Sequence, residues 1–350
     1  MLKIEGREIG PSAKPFIIAE MSGNHNHSLE RALQIVEAAA DAGVDALKIQ
    51  TYTADTMTID SQLPEFIIQD ENNLWKGQSL YQLYQKAYTP WEWHAEIFNK
   101  CRDLGIVGFS TPFDITAVDF LETLNVPCYK IASFENTDHI LLKKIASTGK
   151  PVIISMGMAT LEEISETVSL LRENGSSSIA LLKCTSSYPA LPSESNIVTI
   201  KDLYEKFSSC AVGLSDHTIG IGVAIASIAL GGSIVEKHFT LDRASGGVDA
   251  AFSAEPKELK LLVEECKKAW LSLGKVSYGP TDRERPSLKY RRSLYFTRDL
   301  KKGEKISSMN VRSIRPAFGL STKHYDSIIG RCVVKDVEKG TPVSWDLLGE

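Results

Sequence analysis

Short apolar runs alternate with longer segments of helical periodicity along the first three quarters of the chain. The runs are rich in aliphatic residues and are bounded by glycine or polar residues, which is typical of buried parallel strands. Between them, apolar residues recur every three or four positions, which predicts amphipathic helices. The predicted strands are 16–20, 46–50, 108–113, 128–133, 151–155, 179–186, 210–214 and 233–235.

Helix start and stop signals support this division. Ser28 suits the N-cap of the first helix and Gly43 its end. Pro256 opens the last helix of the series and Gly274 follows it. An irregular segment that ends near Gly77 is long enough for a functional loop. The other predicted helices are 80–87, 90–104, 115–123, 138–147, 160–173, 199–207 and 219–231.

Eight strand–helix units over about 274 residues predict a (β/α)8 TIM barrel. A doubly wound open sheet is the alternative. The first strand is not followed by a Gly-x-Gly-x-x-Gly motif, which weakens a dinucleotide-binding interpretation. We therefore expect a barrel domain over residues 1–274.

The end of the chain differs in kind. Residues 275–290 mix glycine, proline and charge and are predicted to be a linker. Residues 291–350 contain a weak internal repeat, in which Asp299–Gly303 matches Asp336–Gly340 at an offset of 37. Each copy carries a Lys-Gly turn signal before a short strand-like pair. This pattern predicts a small, pseudo-symmetric, β-rich domain.

Bulk composition narrows the class of protein. The hydrophobic fraction of 43% and the charged fraction of 24% are ordinary for a globular chain, and the net charge of −5 gives no electrostatic case for nucleic acid or an anionic membrane. No uninterrupted apolar run reaches the length of a membrane span, and the charged Met1–Glu5 is not typical of a signal peptide. Six scattered cysteines without CxxC spacing favour free thiols in a reducing cytoplasm.

Polar residues occur at the C-terminal ends of all the predicted strands, where α/β barrels place their active sites. Lys48 and Lys130 stand inside apolar strands, which is costly unless the charge is paired or used. Together with hydroxyl groups they suit an anion with several acceptor oxygens, such as a phosphate or carboxylate. The candidates are Glu20, Lys48, Gln50, Thr111, Lys130, Ser133, Ser155, Thr185, Ser186, Ser215, His217, Glu236 and His238.

Two histidines follow neighbouring strands of this set. His217 and His238 are 21 residues apart, and neutral imidazoles could share a divalent metal that acts as a Lewis acid. Each could instead be a hydrogen-bonded core histidine. Glu20 is a candidate general acid or base. The residues alone indicate a metal-assisted enzyme for a phosphorylated or carboxylated small molecule.

Two other classes stay open at this point. A Schiff-base aldolase could use Lys130 or Lys183. A non-catalytic scaffold, with the C-terminal domain as its working part, would need none of the strand-end groups.

The sequence strongly resembles the sialic acid synthase family, which condenses phosphoenolpyruvate with an N-acylated amino sugar to make a nonulosonic acid. The resemblance covers essentially the whole chain, and residues 291–350 resemble the antifreeze-like SAF domain of that family. The matching elements are Ile18–Glu20 with Asn24 and His25, Lys48–Thr51, Ser110–Phe113, Tyr129–Ser133, Ser155–Met158, Cys184–Thr185 with Tyr188–Pro189, Gly213–His217 and Glu236–Phe239.

Within the family the chain is most similar to the pseudaminic acid synthase branch. The elements that carry this likeness are Gln50–Thr53, Thr89–His94, Ala132–Glu135 and Arg315–Gly319. The chain has Lys183–Ser186 where sialic acid synthases typically have His-Cys-Thr-Asn. This departure argues against N-acetylmannosamine and fits a 6-deoxy sugar with two acetamido groups. N-acetylneuraminate and legionaminate synthesis from a manno-configured sugar stay as alternatives.

The resemblance implies a role for each matching position. His217 and His238 would bind a divalent metal (Mn2+, Mg2+ or Co2+), and with Glu20 they would be catalytic. Arg315 would reach the barrel of a second subunit, which implies a homodimer with exchanged C-terminal domains. Phosphoenolpyruvate would be held by Lys48, Thr111, Lys130, Ser133, Ser155 and Ser215, and the sugar would face Gln50, Tyr188, Glu236, Asp249 and Arg315.

Overall fold

A computed structural model describes residues 2–69 and 75–349 of the chain. A hairpin of β1 (Leu2–Ile4) and β2 (Arg7–Ile9) precedes eight parallel strands that close into a barrel. The TIM-barrel prediction is therefore confirmed. The barrel strands are β3 Phe16–Glu20, β4 Ala46–Thr51, β5 Val107–Pro112, β6 Tyr129–Ile131, β7 Val152–Ser155, β8 Ile179–Cys184, β9 Ala211–Asp216 and β10 Ile234–His238. They follow one another around the barrel, and β10 closes it against β3.

Helices connect the strands as the periodicity predicts. The first begins after Ser28, whose side chain accepts a hydrogen bond from the backbone N–H of Arg31, and it ends at Gly43 with φ +86°. Residues 70–74 of the predicted functional loop lie outside the described residues. The helices are α1 Leu29–Ala42, α2 Ala54–Met57, α3 Leu80–Ala87, α4 His94–Asp103, α5 Ile115–Thr123, α6 His139–Ala146, α7 Leu161–Glu173, α8 Thr199–Lys206, α9 Gly222–Ala229 and α10 Pro256–Leu273.

The two faces of each strand serve different layers. In β3, Ile17 and Ala19 pack against the helices, whereas Phe16 and Ile18 pack inside the barrel. Because side chains alternate along a strand, the next inward position after Ile18 is Glu20. The same parity places the inward positions of the other strands in a polar layer above an apolar one. That polar layer holds the candidate site.

Four strand ends differ from the sequence predictions by two residues or more. β6 and β8 end earlier than predicted, at Ile131 and Cys184, whereas β9 runs through Asp216 and β10 through His238. The predicted runs for β9 and β10 stopped at the first polar residue. Polar side chains that face into the barrel can form hydrogen bonds there without interrupting the backbone hydrogen bonds between strands. The strands therefore continue through Ser215 and Glu236.

The hairpin at the N-terminal end of the barrel was not predicted from the sequence. Leu2, Ile4 and Ile9 pack in one cluster with Phe16 and other inward residues, and so cover the apolar layer. Strands of three residues give too little alternation to be recognised.

The chain folds into two compact units, Met1–Gly274 and Lys275–Glu350. The second unit contains an antiparallel pair, β11 (Ser293–Phe296) and β12 (Val311–Ile314), and α11 (Tyr325–Ile328). A 3-10 helix, Arg285–Tyr290, occupies part of the predicted linker. Among the described residues, no helix is long and apolar enough to cross a membrane.

The internal repeat of the second unit is built into its hydrogen bonds. Asp336 Oδ1 accepts a hydrogen bond from the backbone N–H of Lys302, and Asp299 Oδ1 accepts one from the N–H of Lys339. Each aspartate is thus paired with the lysine of the other copy. This reciprocity is the pseudo-symmetry that the offset predicts.

Candidate active site

Two buried lysines form the centre of the polar layer. Lys48 Nζ donates to Thr111 Oγ1 at 2.9 Å, and Lys130 Nζ donates to Ser155 Oγ at 2.7 Å. The lysines are 3% and 1% exposed, so neither charge is screened by solvent. Ammonium and hydroxyl donors therefore converge inside the barrel, as the sequence predicts for an anion site.

Two buried carboxylates balance these lysines. Glu20 Oε2 lies 2.8 Å from Lys48 Nζ. Glu236 Oε1 lies 3.5 Å from Lys48 Nζ and 3.9 Å from Lys130 Nζ, and it accepts a hydrogen bond from Ser215 Oγ at 3.4 Å. Within the described part of the chain, the buried Glu236 Oε2 has no hydrogen-bond partner.

The four charges shift one another's pKa values. Burial lowers the pKa of Lys130. Burial acts the same way on Lys48, but the adjacent Glu20 and Glu236 outweigh it and raise the pKa of Lys48. Burial, together with Glu236, raises the pKa of Glu20 against the opposing effect of Lys48. Glu20 is thus the carboxylate of the pair that takes up a proton more readily, which suits a general acid or base.

Gln50 and Ser133 hold neighbouring positions of the layer. Gln50 Nε2 donates to Glu20 Oε1 at 2.9 Å. Ser133 Oγ accepts a hydrogen bond from the backbone N–H of Gly157 at 3.2 Å. A Cβ at Gly157 would overlap Ser186 Oγ and lie 2.7 Å from Ser133 Oγ, so the turn after β7 requires glycine to bring these hydroxyl groups together.

His217 and His238 are adjacent at the rim of the layer, with ring centroids 5.3 Å apart. His217 Nδ1 lies 2.9 Å from the carbonyl oxygen of Thr185. A carbonyl oxygen can only accept a hydrogen bond, so this contact favours the tautomer with its proton on Nδ1. The lone pair of Nε2 can then bind a metal ion. Burial and neighbouring cations hold the pKa of His238 well below its usual value, and its Nδ1 has no hydrogen-bond partner among the described residues.

These two imidazoles fit a divalent metal. The contact with the Thr185 carbonyl leaves His217 Nε2 to face a ligand, and the lowered pKa of His238 favours the neutral state in which imidazole ligates. In residues 2–69 and 75–349, no group of three or more His, Cys, Asp or Glu side chains is arranged to hold an ion. The two histidines would therefore leave the remaining coordination positions to water and substrate oxygens.

An aromatic wall stands beside the histidines. The ring centroid of Tyr188 lies 4.4 Å from that of His217 and 5.4 Å from that of Phe252, and Phe252 lies 5.0 Å from His238. The Tyr188–Pro189 peptide is cis. Sequence reasoning selected Tyr188 and missed Phe252, which belongs to a short 3-10 helix, Ala250–Phe252, that no periodicity reveals.

Asp249 is buried at the edge of this wall. Its Oδ2 lies 3.8 Å from His238 Nδ1, which is too long for a hydrogen bond. Burial raises the pKa of Asp249. The carboxyl group therefore lies where it can accept a hydrogen bond from a sugar hydroxyl near the histidines.

Glu135 is a further acidic group that the sequence reasoning did not select. It follows Ser133 in a 3-10 helix, and its Oε2 is buried without a hydrogen-bond partner among the described residues. Burial raises its pKa to about 7, while Lys130 acts in the opposite direction. Glu135 could have been predicted from the motif Ala132–Glu135. A carboxylate two residues after a serine at the end of a strand lies near the same rim of the barrel as that serine.

The barrel brings the predicted site residues of the first unit to one end, with the exception of the Thr185 side chain. Thr185 Oγ1 donates to the carbonyl oxygen of Glu194 and accepts from Lys183 Nζ, so only the backbone carbonyl of Thr185 reaches His217. Arg315 belongs to the second unit, where it follows β12 and is exposed. Its role in the site stays a prediction.

Known proteins resemble this chain over nearly its full length. The NeuB family model matches residues 35–278, and the SAF domain model matches residues 291–349. Pseudaminic acid synthase of Campylobacter jejuni is 43% identical over 330 residues, which cover 93% of this chain and 94% of the relative. N,N'-diacetyllegionaminic acid synthase of the same species is 36% identical over 330 residues, with coverage of 93% and 98%.

A solved structure supports the same relationship. The N-acetylneuraminic acid synthetase of Leptospira borgpetersenii, in complex with citrate, superposes with a TM-score of 0.73 at 32% identity and covers 83% of this chain and 95% of its own. The C-terminal domain predicted from the sequence is thus an SAF domain. Because the family model spans most of the barrel and the relatives cover nearly the whole chain, the protein belongs to the NeuB family.

Proposed function

We propose that this protein is a pseudaminic acid synthase, which condenses phosphoenolpyruvate with 2,4-diacetamido-2,4,6-trideoxy-β-L-altropyranose and water, and releases phosphate. The observation that carries the proposal is the pairing of two buried lysines with two adjacent histidines at one end of the barrel. The greater identity to the pseudaminic than to the legionaminic relative supports the choice of sugar.

Phosphoenolpyruvate is assigned to the lysine layer. Lys48 and Lys130 supply charge to its phosphate and carboxylate, and the hydroxyl groups supply short donors. Glu20 and Glu236 already neutralise these lysines, so an arriving anion competes with them for the same ammonium groups. The assigned hydroxyl residues are Thr111, Ser133, Ser155 and Ser215.

His217 and His238 are assigned to a divalent metal ion, with Mn2+, Mg2+ or Co2+ as candidates. When bound, such an ion would polarise the aldehyde oxygen of the open-chain sugar. In this proposal the aldehyde lies at the rim beside the histidines, above the anion layer. The electron pair of the carbon 2–carbon 3 double bond of phosphoenolpyruvate then forms the bond from carbon 3 to the aldehyde carbon. The carbonyl π pair moves onto the aldehyde oxygen, which takes up a proton and becomes a hydroxyl group.

Glu20 is assigned to the proton of the water that adds to carbon 2, because its raised pKa suits proton exchange. Cleavage of the bond between carbon 2 and the bridging oxygen releases phosphate. Gln50, Tyr188, Glu236 and Asp249 face the sugar in this arrangement. Tyr188 lies beside His217, so its ring borders the sugar carbons nearest the aldehyde.

A homodimer with exchanged C-terminal domains is part of the proposal, with Arg315 of one subunit completing the site of the other. Mixing an Arg315→Ala variant with a His238→Ala variant tests it. If Arg315 acts in trans, mixed dimers regain activity that neither variant has alone. Absence of recovery in verified mixed dimers would rule out the exchange. A cytoplasmic location likewise stays a prediction.

The deciding experiment measures phosphate release with phosphoenolpyruvate and Mn2+ against three sugars. These are the altrose derivative, 2,4-diacetamido-2,4,6-trideoxymannose and N-acetylmannosamine. Turnover confined to the altrose derivative supports the proposal, and turnover confined to a manno sugar replaces it with legionaminate or N-acetylneuraminate synthesis. Bridge-labelled phosphoenolpyruvate adds a test of bond cleavage, because the label must leave with phosphate.

A Schiff-base aldolase is the distant alternative. Lys183 alternates with the inward Leu182 and Cys184, so it lies on the outer face of β8, and its Nζ donates to the carbonyl of Cys184 at 2.8 Å. Lys130 is inward with a lowered pKa, so it is the lysine to test. Borohydride should trap the carbonyl substrate on Lys130 if this alternative holds, and it should not if the synthase proposal is right.

A further inference from the structure

A cleft of about 410 Å3 lies beside Tyr188 and is used by none of the steps above. Its volume falls within roughly 300–1,000 Å3, which is typical of small-molecule sites. Trp75, Gln78, Leu83, Lys86 and Val248 are among the residues that line it.

The cleft adjoins the sugar-facing wall through Trp75. The ring centroid of Trp75 lies 6.5 Å from that of Tyr188, and Tyr188 in turn lies beside His217. Val248 precedes Asp249 in the chain. The Tyr188 ring would therefore lie between the histidines and a group bound in the cleft, so that group would be further from the histidines than the aldehyde is.

The lining combines an apolar surface with a few polar groups. Trp75, Leu83 and Val248 supply the apolar part. Lys86 Nζ donates to Gln78 Oε1 at 3.3 Å, which leaves the Gln78 carboxamide NH2 to donate to a ligand. An acetamido group, with a methyl, a carbonyl acceptor and no net charge, matches this set better than a phosphate does.

Regular backbone structure holds these residues in place. Gly77 N–H donates to the carbonyl of Ile68 at 2.8 Å, and Ile68 N–H donates to the carbonyl of Gln78 at 3.0 Å. Ser79 then caps α3, whose Leu83 and Lys86 are three residues apart and share one face. These contacts fix the part of the cleft wall that Gln78, Leu83 and Lys86 form.

We propose that this cleft receives the acetamido group on carbon 4 of the sugar. The assignment rests on the proposed function. The acetamido group on carbon 2 is bonded next to the aldehyde carbon and stays near Tyr188, whereas carbon 4 lies two carbons further along the chain. The cleft would thereby distinguish a diacetamido sugar from one with a hydroxyl at carbon 4.

Two altrose sugars test the assignment. One is the diacetamido sugar, and the other is 2-acetamido-2,6-dideoxyaltrose, which has a hydroxyl on carbon 4. We expect the unmodified protein to prefer the diacetamido sugar by about 10- to 100-fold in kcat/KM, the range that one substituent group can supply. Val248→Phe, which fills the cleft, should remove most of that preference by slowing the diacetamido sugar.

A second variant and a control keep the test decisive. Lys86→Met, at an exposed position, removes the ammonium group that orients the Gln78 carboxamide, and it should reduce the preference even if Val248→Phe does not fold. Val276→Phe, at a position 89% exposed in the second unit, should leave it unchanged. Equal slowing of both sugars by the cleft variants overturns the assignment while the proposed function stands. Turnover of neither sugar by the unmodified protein overturns both.

Discussion

The Ser22 hydroxyl donates a hydrogen bond to Asp249 Oδ2, across 227 residues of chain. Ser22 is buried and has φ +46°, in the left-handed region where a residue with a side chain costs about 1 kcal/mol. Asp249 lies beside His238. Ser22 thus adopts an unfavourable backbone conformation at the position where its hydroxyl group orients Asp249, a carboxylate of the candidate sugar site.

Ser22→Gly and Ser22→Ala should separate these two effects. Both remove the hydroxyl, so both should raise the KM for the sugar more than the KM for phosphoenolpyruvate. Only glycine adopts the positive φ freely, so Ser22→Gly should be more stable than Ser22→Ala by about 1 kcal/mol. Thermal unfolding and steady-state kinetics check both parts. Full sugar affinity in the glycine variant would show that Ser22 has no positioning role.

Lys130 and Lys237 form a matched pair of buried strand lysines. Lys130→Met removes an inward donor and should raise the KM for phosphoenolpyruvate by about 10- to 100-fold, the worth of one charged hydrogen bond. Lys237 Nζ instead lies 2.8 Å from Asp216 Oδ2. Lys237→Met should lower the free energy of unfolding by about 3 kcal/mol, because it leaves a buried carboxylate unpaired, and should leave that KM unchanged. A similar KM change in both variants would contradict the assignment of Lys130.

Removal of a histidine at the rim should weaken metal binding, whereas removal of a buried histidine elsewhere in the barrel domain should not. His238→Ala should weaken Mn2+ binding by more than about 100-fold, since loss of even an outer-shell partner costs 10- to 100-fold. His94 is the control, because its Nδ1 lies 3.2 Å from the carbonyl oxygen of Pro90 and its Nε2 lies 2.8 Å from Thr51 Oγ1. Titration calorimetry of Mn2+ with His94→Gln should match the unmodified protein. Unchanged binding in His238→Ala would remove His238 from the site.

Glu135 should make stability depend on pH. Its folded pKa of about 7 exceeds the ordinary 4.5, so between these values the folded state binds more protons and the free energy of unfolding falls as pH rises. The loss is at most about 3 kcal/mol. Glu135→Gln should match the unmodified protein near pH 4.5 and be more stable near pH 8. The measurement is the free energy of unfolding of both proteins at several pH values. Parallel plots of this free energy against pH would refute the raised pKa.

Much of the barrel could be read from the sequence because its signals are local. Ser28 and Gly43 mark a helix by cap chemistry that depends on neighbouring residues alone. The lysines of β4 and β6 indicated the candidate site by a signal that is not local. A charge in an apolar run needs a partner from elsewhere in the chain.

What the sequence could not supply is the set of contacts made across the barrel. Nothing near Ser22 indicates Asp249 as its partner, and nothing near Phe252 indicates that its ring meets Tyr188. The ends of β9 and β10 were misplaced for the same reason, because their polar residues are satisfied by other strands. The partners of such residues are a property of the closed barrel.

The alternation of inward and outward positions has a consequence for how this chain can change. Phe16 and Ile18 fill the barrel, and Glu20 follows them on the same face of the same strand. One residue inserted within β3 would exchange its two faces beyond that point. Substitutions and changes in loop length leave this order intact, so they can alter the chain without moving Glu20 out of the barrel.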